Sequence, residues 1–170
     1  MKITRKQLKR LIESIFISGD SIPDRLGLQM KPDTKKLGIN YTALVLDQGS
    51  QIALMQHIPQ QYLQPKIYCH HMTLISPTVQ KNRRYPEHFL NMPATVTVNA
   101  IVMDDKVAAA VVDPAMNDAP HLPIDGPAFP HVTIATNVKE GGKPYMSNNL
   151  DLRTAIPINP ITLTGVIREL

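Results

Sequence analysis

The sequence is short of several things, and each shortage removes a class of protein. Among 170 residues there is one cysteine, Cys69, which excludes an internal disulfide and any cysteine-rich zinc module. Tryptophan is absent and aromatics make up 5% of the chain, so a core must be filled by aliphatic and methionine side chains, which a 43% hydrophobic content can supply. No apolar run approaches the ~20 residues that cross a bilayer. The charged start, Met1-Lys2-Ile3-Thr4-Arg5-Lys6, leads into no signal-peptide core. Together these features predict a cytoplasmic chain without a membrane partner. Acidic residues are also in deficit, 14 against 18 basic, for a net charge of +4. That deficit is local, because residues 1–36 hold nine basic and four acidic residues, whereas the remaining 134 hold nine and ten. A broad basic surface over the body of the protein is therefore not expected.

What is present divides the chain in two. Leu8, Leu11, Ile12, Ile15 and Phe16 recur at helical spacing opposite Lys2, Arg5, Lys6, Lys9 and Arg10, which predicts a basic amphipathic helix and connector over residues 1–25. Residues 26–170 form the second unit, mixed in character. Strands are expected at 39–46, 66–75, 94–103, 106–112, 129–136 and 161–167, with short helices at 50–57 and 87–90. Asp104-Asp105 marks a hairpin, and five prolines within 113–130 mark a loop. Strands with few helices and no internal repeat indicate an α+β fold.

Two of the expected strands carry the same pattern, His71-Met72-Thr73-Leu74 and His131-Val132-Thr133-Ile134. With six histidines and twelve threonines in the chain, chance supplies about 0.4 His-x-Thr triplets. Alternation along a strand places His71 and Thr73 on one face, with Met72 and Leu74 beneath them, and treats His131 and Thr133 likewise. By the same alternation His70 points away from His71, which makes it structural or supporting. If the two strands lie together, two imidazoles and two hydroxyls converge. That set suits a phosphodiester: a neutral imidazole takes a proton from the attacking oxygen, a protonated one supplies the leaving oxygen, and hydroxyls bond the phosphoryl oxygens as charge builds. Imidazole offers both protonation states near neutral pH without a metal. The sequence has no His-Glu-x-x-His, no cysteine pair, no carboxylate cluster beside either motif and no Gly-x-Ser-x-Gly elbow.

The doublet resembles the 2H phosphoesterase superfamily, which is defined by two such motifs on two related lobes. The resemblance covers residues 39–168 and extends to RNA 2′,3′-cyclic phosphodiesterases, the phosphodiesterase domains of fungal tRNA ligases and phage anti-CBASS nucleases. It implies a bilobal fold of two antiparallel sheets flanking a central cleft, to which the N-terminal amphipathic helix is an addition. It implies metal-independent, cofactor-free hydrolysis in which His71 and His131 are the acid/base pair and Thr73 and Thr133 bind phosphate. Tyr41 in the opening strand, and Lys143 and Tyr145 in the segment Gly142-Lys143-Pro144-Tyr145-Met146-Ser147-Asn148, are similar to tRNA-ligase-like members and are expected to contact substrate.

The substrate expected from this resemblance is a nucleotide or an RNA end, foremost a 2′,3′-cyclic phosphate. Two alternatives stand beside it. One is a phage nuclease hydrolysing cyclic oligonucleotide immune signals, in which case the cytoplasm is that of the host; the other is an inactive nucleotide-binding module.

Overall fold

A computed structural model describes residues 41–80 and 85–170, which belong to the compact unit Thr34–Leu170. The expected helix over 1–25 and the boundary at residue 26 lie outside the described residues. Seven strands are present among those described: β1 (Thr42–Leu46), β2 (Pro65–Ile67), β3 (His71–Ile75), β4 (Pro93–Met103), β5 (Val107–Val112), β6 (His131–Asn137) and β7 (Ile156–Glu169). Two helices accompany them, α1 (Gln48–Met55) and the single turn α2 (Pro77–Gln80). Asp47 caps α1 by accepting from the Ser50 amide at 2.7 Å. The Ser50 hydroxyl then accepts from the Thr164 amide at 2.8 Å, tying the helix to β7.

The strands hydrogen-bond in the order β2-β6-β3-β1-β7-β4-β5, and β5 pairs with β6 as well, so the sheet closes on itself. This corrects the expectation of two separate sheets. The correction comes from two long strands, since β4 and β7 pair from Pro93↔Val166 to Ile101↔Ile156 and so join what would be separate sheets. A register shift between Val98 and Ala100 bends this pair. On one side of the bend β1 joins β7 at residues 165–169, and on the other β5 joins β4 at residues 98–103.

The start of β7 lies five residues before the expected 161, in spite of Pro157 and Pro160. Its first half pairs with β4 alone, and a strand with one edge free of a partner tolerates residues that cannot donate a ladder hydrogen bond. Alternation elsewhere follows the sequence. Leu44, Met72, Leu74, Val96, Val132, Ile134, Leu163 and Ile167 are all essentially inaccessible and form one core. A smaller cluster on the other face gathers Val102, Val107, Ala109, Phe129 and Leu150. No helix among the described residues is long and apolar enough to cross a membrane.

Candidate active site

The expected strand over 66–75 is divided by an irregularity that shapes the site. Up to Cys69 the chain follows one register with β6: Ile67 stands opposite Ala135, and the Cys69 amide donates to the Thr133 carbonyl at 2.9 Å. Met72 then stands opposite Val132. Three residues on one strand therefore match one on the other, which leaves two extra, His70 and His71. Cys69 takes a left-handed conformation, φ +50°, to begin the detour. A bulge of this kind re-aims side chains. Here it sets the rings of His70 and His71 together, with centroids 4.4 Å apart and their Nδ1 atoms at 3.2 Å. His70 thus does not point away from His71, because it lies in the bulge and strand alternation does not govern it.

His71, Thr73, His131 and Thr133 line a common cavity of about 210 Å³. Tyr41 and Tyr145 line it too, so six of the seven residues singled out from sequence meet there. The seventh, Lys143, is exposed at the head of the 3₁₀ segment Pro144–Asn149 and is not part of the lining. Tyr41 sits before β1 with its hydroxyl 3.5 Å from Nε2 of His71, and the rings lie 5.4 Å apart. Tyr145 stands at the mouth, 62% exposed. Tyr68, His70, Ser76, Gly126, Ser147 and Asn148 complete most of the wall. Gly126 has φ +103°, and a Cβ there would overlap the Ser76 side chain, so this close approach of two loops requires glycine.

The two imidazoles have different surroundings. Burial pushes the pKa of His71 down to about 3, helped by the nearby His70 and His131. This ring is therefore a free base at neutral pH. Burial also lowers His131, opposed by its hydrogen bond to Phe129. The Phe129 carbonyl, 2.8 Å from Nδ1 of His131, can only accept, so that nitrogen carries a hydrogen and Nε2 is turned to the cavity.

There Nε2 meets the Ser147 hydroxyl at 2.7 Å. That hydroxyl also lies 3.1 Å from the Thr133 hydroxyl and 2.6 Å from the Pro144 carbonyl. Ser147 has one hydrogen, and the Pro144 carbonyl can only accept it. Once it is given there, Ser147 accepts from both Thr133 and His131, which needs hydrogens on both ring nitrogens. The network is fully satisfied by an imidazolium, whereas a neutral His131 leaves it one hydrogen short.

Ser147 gave no sequence signal of its own, since a loop serine becomes a partner of His131 only through tertiary contact. His70 is visible in the sequence, but strand alternation places it on the wrong side of His71 because it lies in the bulge. Among the described residues, no group of three or more His, Cys, Asp or Glu side chains is arranged to hold a metal ion.

The family model of the fungal tRNA ligase phosphodiesterase domain matches residues 29–156, three quarters of the chain and both His-x-Thr motifs. The chain belongs to this family. Membership in the tRNA ligase phosphodiesterase family places it among the 2H phosphoesterases, as the paired motifs implied. The match ends at the first residue of β7, although that strand pairs with both β1 and β4. No curated protein matches the chain.

Proposed function

We propose that this protein is a phosphodiesterase that opens 2′,3′-cyclic phosphates at RNA ends, using His71 as general base and His131 as general acid. The observation that carries the reading is the meeting of both His-x-Thr pairs around one small cavity, within a family of phosphodiesterase domains. His71 is neutral and turns Nε2 toward the cavity, the state a base requires. His131 sits among partners that accommodate hydrogens on both nitrogens, the state an acid requires.

In the reaction, a water gives a proton to Nε2 of His71 while its oxygen bonds to phosphorus. The bond from phosphorus to one ribose oxygen breaks, and that oxygen takes the proton from Nε2 of His131. The products are a phosphomonoester, a free ribose hydroxyl and exchanged protonation states of the two rings, which solvent resets. Thr73 and Thr133 donate to the non-bridging oxygens as negative charge builds. A bound phosphate anion raises the proton affinity of both rings, easing the transfer to His71 and holding the proton on His131 until it is needed. The tyrosines at the cavity, Tyr41 and Tyr145, supply flat faces for the adjoining base. Lys143 is outside the lining but directly precedes Pro144 and Tyr145, and it adds positive charge beside the cavity.

The cavity of about 210 Å³ favours a single cyclic phosphate with its neighbouring ribose over a larger cyclic oligonucleotide. The test is incubation with 2′,3′-cyclic nucleotides, a short RNA ending in a cyclic phosphate and a panel of cyclic di- and trinucleotides, each with and without EDTA. Turnover of the first two, insensitive to EDTA, is expected. Turnover confined to cyclic oligonucleotides would move the protein to immune-signal hydrolysis, and loss of turnover in EDTA would remove the two-imidazole mechanism.

A further inference from the structure

The bulge between β2 and β3 forces two imidazoles into contact, and only one of them is used by the chemistry proposed above. His71 turns Nε2 to the cavity, beside the Tyr41 hydroxyl, and Nδ1 to the Nδ1 of His70 at 3.2 Å. One hydrogen occupies the space between two nitrogens at that distance, and its owner decides which tautomer each ring adopts. If His71 owns it, the Nε2 lone pair is free to receive a proton from water. If His70 owns it, a neutral His71 carries its hydrogen on Nε2, and its only lone pair points at His70, away from the cavity.

We propose that His70 is the positioning residue of His71: it accepts the Nδ1 hydrogen of His71 and so leaves the Nε2 lone pair in the cleft. This inference rests on the reading of His71 as base. His131 solves the same problem with a backbone carbonyl, the Phe129 oxygen, which accepts and can never donate. An imidazole differs from a carbonyl in being able to reverse. When His70 is protonated on both nitrogens it donates to Nδ1 of His71, which turns off the base without altering the fold.

The groups around this pair set its working range. Burial and then the Lys66 ammonium of β2 keep the His70 pKa below the ordinary imidazole value, which protects the accepting state at neutral pH. The Tyr68 ring lies 6.0 Å from the His70 ring, His131 on β6 adds its charge from the far side, and the Tyr41 hydroxyl faces Nε2 of His71. Asn offers a side-chain oxygen near the position of the imidazole Nδ1, whereas Phe keeps the ring and has no acceptor. Those two substitutions therefore separate acceptance from packing.

The experiment uses the full chain in two measurements. Long-range nitrogen–proton NMR of the histidine rings near pH 7 reads the tautomer of His71, with His131 as the internal Nδ1–H reference. Steady-state rates on a 2′,3′-cyclic nucleotide, over a range of pH, read its consequence. The expected result is a hydrogen on Nδ1 of His71 in the wild type, retained in His70→Asn. In His70→Phe that hydrogen is lost, and kcat falls by at least ~10-fold at little-changed KM. Neither Asn nor Phe takes up a proton, so the part of the acid limb that comes from His70 should vanish in both variants, and only His70→Phe should also lose the high kcat. An acid limb unchanged in His70→Asn would show that His70 does not switch the base. A wild-type His71 with its hydrogen on Nε2, or a His70→Phe enzyme with full kcat, would overturn the assignment. Should His70→Phe fail to fold, the wild-type spectrum and His70→Asn still decide it. A wild-type protein without turnover would defeat the proposed function, while its spectrum would continue to test His70.

Discussion

Single residues carry the chemistry, and their surroundings make sharp expectations. Replacing His71 or His131 by Ala should lower kcat by ~10²-fold or more on a cyclic nucleotide, with circular dichroism unchanged, because each removes one of two proton transfers. The pH profile of kcat/KM tests the pair together. His71 must be neutral and His131 charged, and both are held below the ordinary imidazole value. The acid limb belongs to the base together with its partner His70, which is also held below the ordinary value, and the basic limb to the acid. The bell should therefore peak on the acidic side of pH 6.5; a maximum above pH 7 would contradict the assigned roles. Ser147→Ala removes the acceptor that favours the charged form of His131. It should move the basic limb to still lower pH, and an unchanged limb would show that Ser147 does not stabilise that charge.

Elements decide which of these residues were readable in advance. The His-x-Thr doublet was legible because alternation is local: Met72, Leu74, Val132 and Ile134 are buried as period 2 requires, which frees the histidines and threonines for the other face. Local rules give way at three places. Nothing in Tyr68-Cys69-His70 announces a two-residue bulge, since Cys69 adopts its left-handed conformation only because β2 and β3 must meet β6 in different registers. Pro157 and Pro160 hid the first half of β7, because sequence does not say which edge of a strand stays open. Gly126 lies in a proline-rich stretch that carries no local sign of a site, yet it forms part of the cavity wall. Gly126→Ala should therefore reduce thermal stability and turnover together, through displacement of Ser76, and a variant with wild-type melting and rate would show that the two loops can separate freely.

At the scale of the whole molecule, three histidines buried toward neutrality form a stability device. Each of His70, His71 and His131 binds its proton less readily in the folded state than in the unfolded chain. Unfolding therefore takes up protons below pH 6.5, and stability must fall as pH drops through that value, by up to about 1.4 kcal/mol per pH unit for each fully responsive group. Urea midpoints measured from pH 7.5 to 5 should decline, and the decline should shrink in His71→Ala. Removing residues 1–25, by contrast, should leave turnover of a small cyclic nucleotide nearly unchanged, as expected if the basic segment stands apart from the chemistry.

The closing strand has a temporal meaning. Because Thr42 pairs with Glu169, and β7 also spans β4, the sheet cannot close until the last of its strands has been synthesised. Until then β1 lacks its β7 neighbour and β4 stands with one edge bare, a state prone to pairing with other chains. The protein should consequently fold slowly for its size. A chain ending at Ala155, close to where the family match stops, should aggregate where the full chain refolds.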